Sequence, residues 1–172
     1  GFVARYDNRP NDFITRLKAV ENPSQYDLVI VFGGINDYIQ NKPFGTDADT
    51  DYLTYVKPAV KEFYNYLTTN FINARIAVLT PLAIKESAYP NDHGTVNDYS
   101  DYYMSIVRQH RLPVLDLTYE SGLDPNINAV NNKWMLEPMP DRYPGIHDGV
   151  HPTEEYIRKF LAPMIRAFLE KL

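Results

Sequence analysis

The chain has 172 residues, 44% of them hydrophobic and 23% charged, with a formal net charge of −5 and no cysteine. That length and balance fit one domain, 1–172, with a sizeable core and exclude a disordered or fibrous chain. Disulfides, thiolate catalysis and zinc–thiolate sites are excluded; no Lys/Arg cluster is present to neutralise phosphates, which argues against nucleic-acid and anionic-membrane partners, and no apolar run is long enough for a membrane span.

In chain order, 11–20 predicts a helix, with Phe13, Ile14 and Leu17 at helical spacing and Asn11 or Asp12 as its cap. Leu28–Phe32 (LVIVF) is apolar on both faces and reads as a central strand of a parallel sheet. A helix over 51–71 follows, which Pro58 either kinks or delays. Arg75–Leu79 (RIAVL) is a second buried strand, 95–110 a helix with Tyr99, Tyr103, Ile106 and Val107 on one stripe, and 113–117 (PVLDL) a third strand. The stretch 118–152 predicts a long irregular loop, a length that usually carries function. The last helix starts at a Thr153 cap with Glu154 and Glu155 in its first turn, and its stripe is Tyr156, Phe160, Leu161, Ile165, Phe168 and Leu169.

Strands alternating with helices specify an α/β domain with right-handed crossovers. Three strands alone would leave the apolar Leu28–Phe32 strand with an open edge, an aggregation hazard. The expectation is therefore that the N-terminal part of the sheet precedes Gly1. The chain shows no signal-peptide pattern, and the absence of cysteine fits a reducing, cytoplasmic compartment, with secretion left open because the chain starts at Gly1 rather than Met.

Two constellations carry chemistry. Gly33-Gly34-Ile35-Asn36-Asp37 directly follows the first strand, where open α/β sheets bind ligands. Its glycines allow a sharp turn and Asn36 offers a side-chain N–H; alone, the same residues also read as an ordinary strand-to-loop turn. Asp37 reads as structural, holding the loop after Asn36 through backbone hydrogen bonds. The second constellation is His147-Asp148-Gly149-Val150-His151-Pro152, just before the last helix. A carboxylate three residues before an imidazole can accept its Nδ1–H and leave Nε2 as a base. The alternatives are a solvated loop ending in a cap, and a metal site made of His147, Asp148 and His151.

Taken together, Gly34-Ile35-Asn36-Asp37 and Asp148-Gly149-Val150-His151-Pro152 resemble the Gly-x-Asn-Asp and Asp-x-x-His blocks of the SGNH (GDSL-type) serine hydrolases. The resemblance covers essentially the whole chain. It implies a three-layer α/β/α flavodoxin-like fold with a parallel sheet and esterase chemistry without a cofactor. Asp148 and His151 would be the catalytic pair, and Asn36 and Gly34 would belong to the oxyanion hole. The substrate would be a small-molecule or carbohydrate ester, with short acyl groups favoured, and Tyr38, Trp134 and Tyr143 would be rim aromatics able to stack on it. The Gly-Asp-Ser block that supplies the nucleophile in such enzymes has no match: Ser24, Ser87, Ser100, Ser105 and Ser121 all stand in other settings. The chain as it stands is therefore expected to be inactive until that block is supplied, or else to be a binding domain that kept the fold.

Overall fold

A computed structural model of the chain describes residues 1–7, 9–136 and 148–172. Tyr143 and His147 fall outside the described residues. The elements in order are α1 (Phe13–Lys18), β1 (Leu28–Phe32), α2 (Ile35–Ile39), α3 (Val56–Asn70), β2 (Arg75–Leu79), α4 (Val96–Gln109), β3 (Val114–Leu115), α5 (Leu117–Glu120) and α6 (Asn128–Trp134). A last helix, α7, runs through Glu154–Tyr156, a π-helical stretch Ile157–Leu161 and Ala162–Leu169.

The strands pair in parallel in the order β1-β2-β3. Register sets the layers: Val29 pairs with Ile76 and Val31 with Val78, so all four side chains point to one face. There they join the main core with Phe2, Ile14, Val60, Phe63, Tyr99 and Tyr103, contributed by the N-terminal segment, α1, α3 and α4. On the opposite face Leu79 and Leu115 pack with Leu117, Leu123, Met135, Tyr156 and Leu161 beneath α6 and α7. The result is a three-layer α/β/α arrangement, as the alternation of elements predicts.

β1 has the open edge that three strands imply, but not the burial on both faces. Among the described residues it is an edge strand, buried on one face only. Leu28, Ile30 and Phe32 point to the α7 side and are 46%, 44% and 47% exposed, because α6 and α7 cover β2 and β3 but do not reach across β1.

Local chemistry explains the boundaries. Asp12 caps α1 by accepting from the Thr15 N–H at 2.9 Å, and Thr95 and Asp98 form a reciprocal capping box on α4. Pro58 does not kink α3: the helix starts at Val56, so the proline sits in the first turn, where its missing N–H has no intrahelical acceptor to lose. The third strand is shorter than 113–117, because Asp116 turns its carboxylate onto the Tyr119 N–H and starts α5, which takes Leu117 into a helix. The stretch 118–152 is likewise not wholly irregular, since it contains α5 and α6. In α7 the Ala162 N–H bonds to the Ile157 carbonyl, an i→i+5 step immediately before Pro163, which has no N–H to give.

Candidate active site

Both chemical constellations lie beyond the C-terminal ends of the strands. β1 runs into Gly33 and Gly34, both at positive φ (152° and 108°). A Cβ on Gly34 would come within 2.6 Å of the Tyr103 ring, and its carbonyl accepts from the Tyr103 hydroxyl at 3.2 Å. Glycine at 34 is thus required both for the turn and for the close approach of α4. Asn36, in the first turn of α2, is exposed.

The next residue, Asp37, is fully buried. Its carboxylate accepts from the N–H groups of Phe2, Val3 and Ala4 at 2.7, 2.8 and 2.7 Å. Asp37 is structural, as expected, but it straps the N-terminal segment to α2 rather than holding the loop after Asn36. Tyr38 is a correction: it is 3% exposed and stands edge-on to Tyr99 with ring centroids 5.6 Å apart. Two residues along a helix is about 200° of rotation, so exposing Asn36 turns Tyr38 into the core. Burial, with Glu86 nearby, holds its phenol above the ordinary tyrosine range.

The second constellation is a tight, doubly clamped turn. Asp148 is 6% exposed; its Oδ1 accepts from the Val150 and His151 N–H groups, both at 2.9 Å, and its Oδ2 meets His151 Nδ1 at 2.6 Å. An ionised carboxylate only accepts, so Nδ1 carries the proton and Nε2 keeps a free lone pair. The His151 side chain is 67% exposed. Gly149 between them is at φ +68°, and a Cβ there would lie 2.6 Å from Lys85 Cβ.

One clamp is a short antiparallel pairing: the Asp148 N–H donates to the Leu136 carbonyl, the Leu136 N–H to His151 O, and the Thr153 N–H to Trp134 O. The other is the segment after β2, where the Lys85 N–H donates to Gly149 O at 2.8 Å and the Tyr89 hydroxyl to Asp148 O at 2.7 Å. Two residues further on, Asn91 Nδ2 donates to the Tyr38 carbonyl at 2.7 Å. One segment therefore grips both the α2 turn and the Asp148–His151 turn. Sequence reasoning missed Lys85, Tyr89 and Asn91; a tyrosine and an asparagine flanking Pro90 carry no signal of their own.

Trp134 has a packing role. Half-buried, it packs edge-on against Tyr156 and Phe160 at 5.7 and 5.5 Å and is capped by the Lys133 ammonium, so it anchors α6 on α7. Among the described residues no group of three His, Asp or Glu side chains converges as metal ligands, and no serine hydrogen-bonds to His151. Among the same residues no helix is long and apolar enough to cross a membrane.

Comparison with known proteins bears on the family and the fold. No curated protein sequence matches the chain. One solved crystal structure superposes with a TM-score of 0.75 at 26% identity, over 99% of this chain and 75% of its own. A protein from Lactobacillus plantarum gives the same TM-score at 23% identity, over 98% of this chain and 75% of its own. A crystal structure of an acetyl xylan esterase gives 0.58 at 24% identity, over 93% of this chain and 75% of its own. The model of the GDSL-like lipase/acylhydrolase family matches residues 4–156, which spans both constellations and every strand; the chain belongs to that family.

Proposed function

We propose that this chain is the larger part of a serine esterase that cleaves short acyl esters, such as acetyl groups, from a carbohydrate. The observation that carries the reading is the 2.6 Å contact between the buried Asp148 carboxylate and the exposed His151 ring, on a turn tied to the same segment as the Asn36-bearing helix.

In this reading a serine hydroxyl gives its proton to His151 Nε2 as its oxygen bonds to the acyl carbon. Asp148 holds the tautomer and balances the imidazolium. Asn36 Nδ2 donates to the oxyanion, with Gly34 shaping the turn that presents it. On collapse the ester C–O bond breaks and the alcohol leaves with the proton from His151. Water then gives a proton to His151 and its oxygen to the acyl carbon, releasing the carboxylic acid and restoring the serine. The serine comes from a segment upstream of residue 1. The unpaired edge of β1, with Leu28, Ile30 and Phe32 uncovered, supports a further strand there. The acetyl xylan esterase among the similar structures favours a short acyl group on a glycan.

The test uses the protein with its upstream sequence. Labelling by a fluorophosphonate and hydrolysis of 4-nitrophenyl acetate are expected, both lost in His151→Ala. Neither labelling nor hydrolysis in that protein overturns the reading and leaves a binding domain with the same fold.

A further inference from the structure

A cleft of about 380 Å³ opens between the segment after β2, the start of α4 and the turn that follows α5. Its polar lining includes Glu86, Asn97, Tyr119, Asp124 and Asn126, over an apolar floor of Ile84, Val96 and Leu123. It adjoins the Asp148–His151 turn: Lys85 is hydrogen-bonded to Gly149, and Glu86 is the next residue. The volume is that of a small-ligand site, whose few polar groups fix orientation over an apolar base.

The lining selects the ligand. No lysine or arginine lines the cleft, so nothing there pairs with an anion. Two carboxylates would suit a cation, but both are partly engaged. Glu86 Oε1 accepts from the Val96 N–H at 3.3 Å, and Asp124 Oδ1 from the Asn126 N–H and Nδ2 at 3.0 and 3.1 Å. Asn126 Oδ1 in turn accepts from the Glu86 N–H at 3.2 Å, so the lip is braced before any ligand arrives. What remains is the second oxygens of the two carboxylates and the Asn97 carboxamide, which donates as well as accepts, beside a ring that is 54% exposed. A bare cation uses acceptors only and gains nothing from the Asn97 amide N–H groups or the apolar floor. A hydroxyl both donates and accepts, and a sugar ring adds C–H bonds that lie against an aromatic face.

We infer that this cleft is a subsite for a neutral oligosaccharide, in which Tyr119 and Asn97 hold sugar units next to the one being deacylated. The subsite rests on the esterase reading only for its purpose, since binding there needs no turnover.

The experiment has two arms on the protein with its upstream sequence. In the first, xylotetraose, cellotetraose and mannotetraose are titrated and followed by saturation-transfer NMR. At least one binds in the millimolar range, and Tyr119→Ala and Asn97→Ala, both at exposed positions, weaken it about tenfold. In the second, the same variants raise KM for the acetylated form of that oligosaccharide about tenfold and leave kcat/KM for 4-nitrophenyl acetate within about twofold. Binding without hydrolysis of either ester upholds the subsite and removes the esterase. Hydrolysis with no oligosaccharide bound, equal losses on both esters, or binding of spermidine in place of sugar overturns the subsite.

Discussion

The Tyr89 hydroxyl donates to the Asp148 carbonyl at 2.7 Å, so the residue that orients His151 is itself held from behind by a buried phenol. Tyr89→Phe removes that donor and little volume. It is expected to cost about 1 kcal/mol in urea unfolding, the net value of one buried hydrogen bond, and to lower kcat by less than about a hundredfold, as for a misplaced rather than a missing group. Unchanged stability would show that the contact holds nothing in place.

Asp148→Asn separates orientation from folding. The amide oxygen can still accept from the Val150 and His151 N–H groups, so the turn survives. Its NH₂ cannot accept from His151 Nδ1, which forces the ring toward the wrong tautomer. kcat for 4-nitrophenyl acetate is expected to fall on the order of 10⁴-fold with the circular dichroism spectrum intact. A loss below tenfold would remove Asp148 from the reaction.

Gly149→Ala strains the same turn twice, through a left-handed backbone at φ +68° and a methyl group 2.6 Å from Lys85 Cβ. The substitution should lower thermal stability by more than about 1 kcal/mol and slow hydrolysis as well. A variant as stable as the parent would mean that the clamp to Lys85 is slack.

Asp12 gives a pH signature away from the site. Burial pushes its carboxyl up, but the Thr15 N–H and hydroxyl and the Arg5 guanidinium outweigh this and hold it below the ordinary aspartate range. A carboxyl lowered on folding stabilises above its unfolded value, and that contribution fades as pH falls through the lowered folded value. Asp12→Asn should therefore be less stable than the parent at neutral pH, with the gap closing only in strong acid. Parallel stability–pH curves down to pH 2 would count against the ion pair.

The elements legible in the sequence were those whose pattern is local. Thr95 with Asp98, Thr153 before two glutamates, and the runs at β1 and β2 announce themselves through capping and hydropathy. Asp148 and His151 were readable because three residues of chain bring them together. Tyr38 was misread because the start of α2 at Ile35 fixes its direction, and Gly-Gly-Ile-Asn does not reveal where a helix begins. Burial of β1 on one face, and the roles of Tyr89 and Asn91, depend on which layers reach across the sheet and on partners about fifty to sixty residues away in sequence. No window-based pattern contains them.

Tyr89 is bonded to the Asp148 turn and Asn91 to the α2 turn, and the residue joining them is Pro90. A proline ring freezes one of the few torsions available between two such anchors. The link between the α2 turn and the Asp148–His151 turn is thus stiffened at its middle residue, which limits how far the two can move apart.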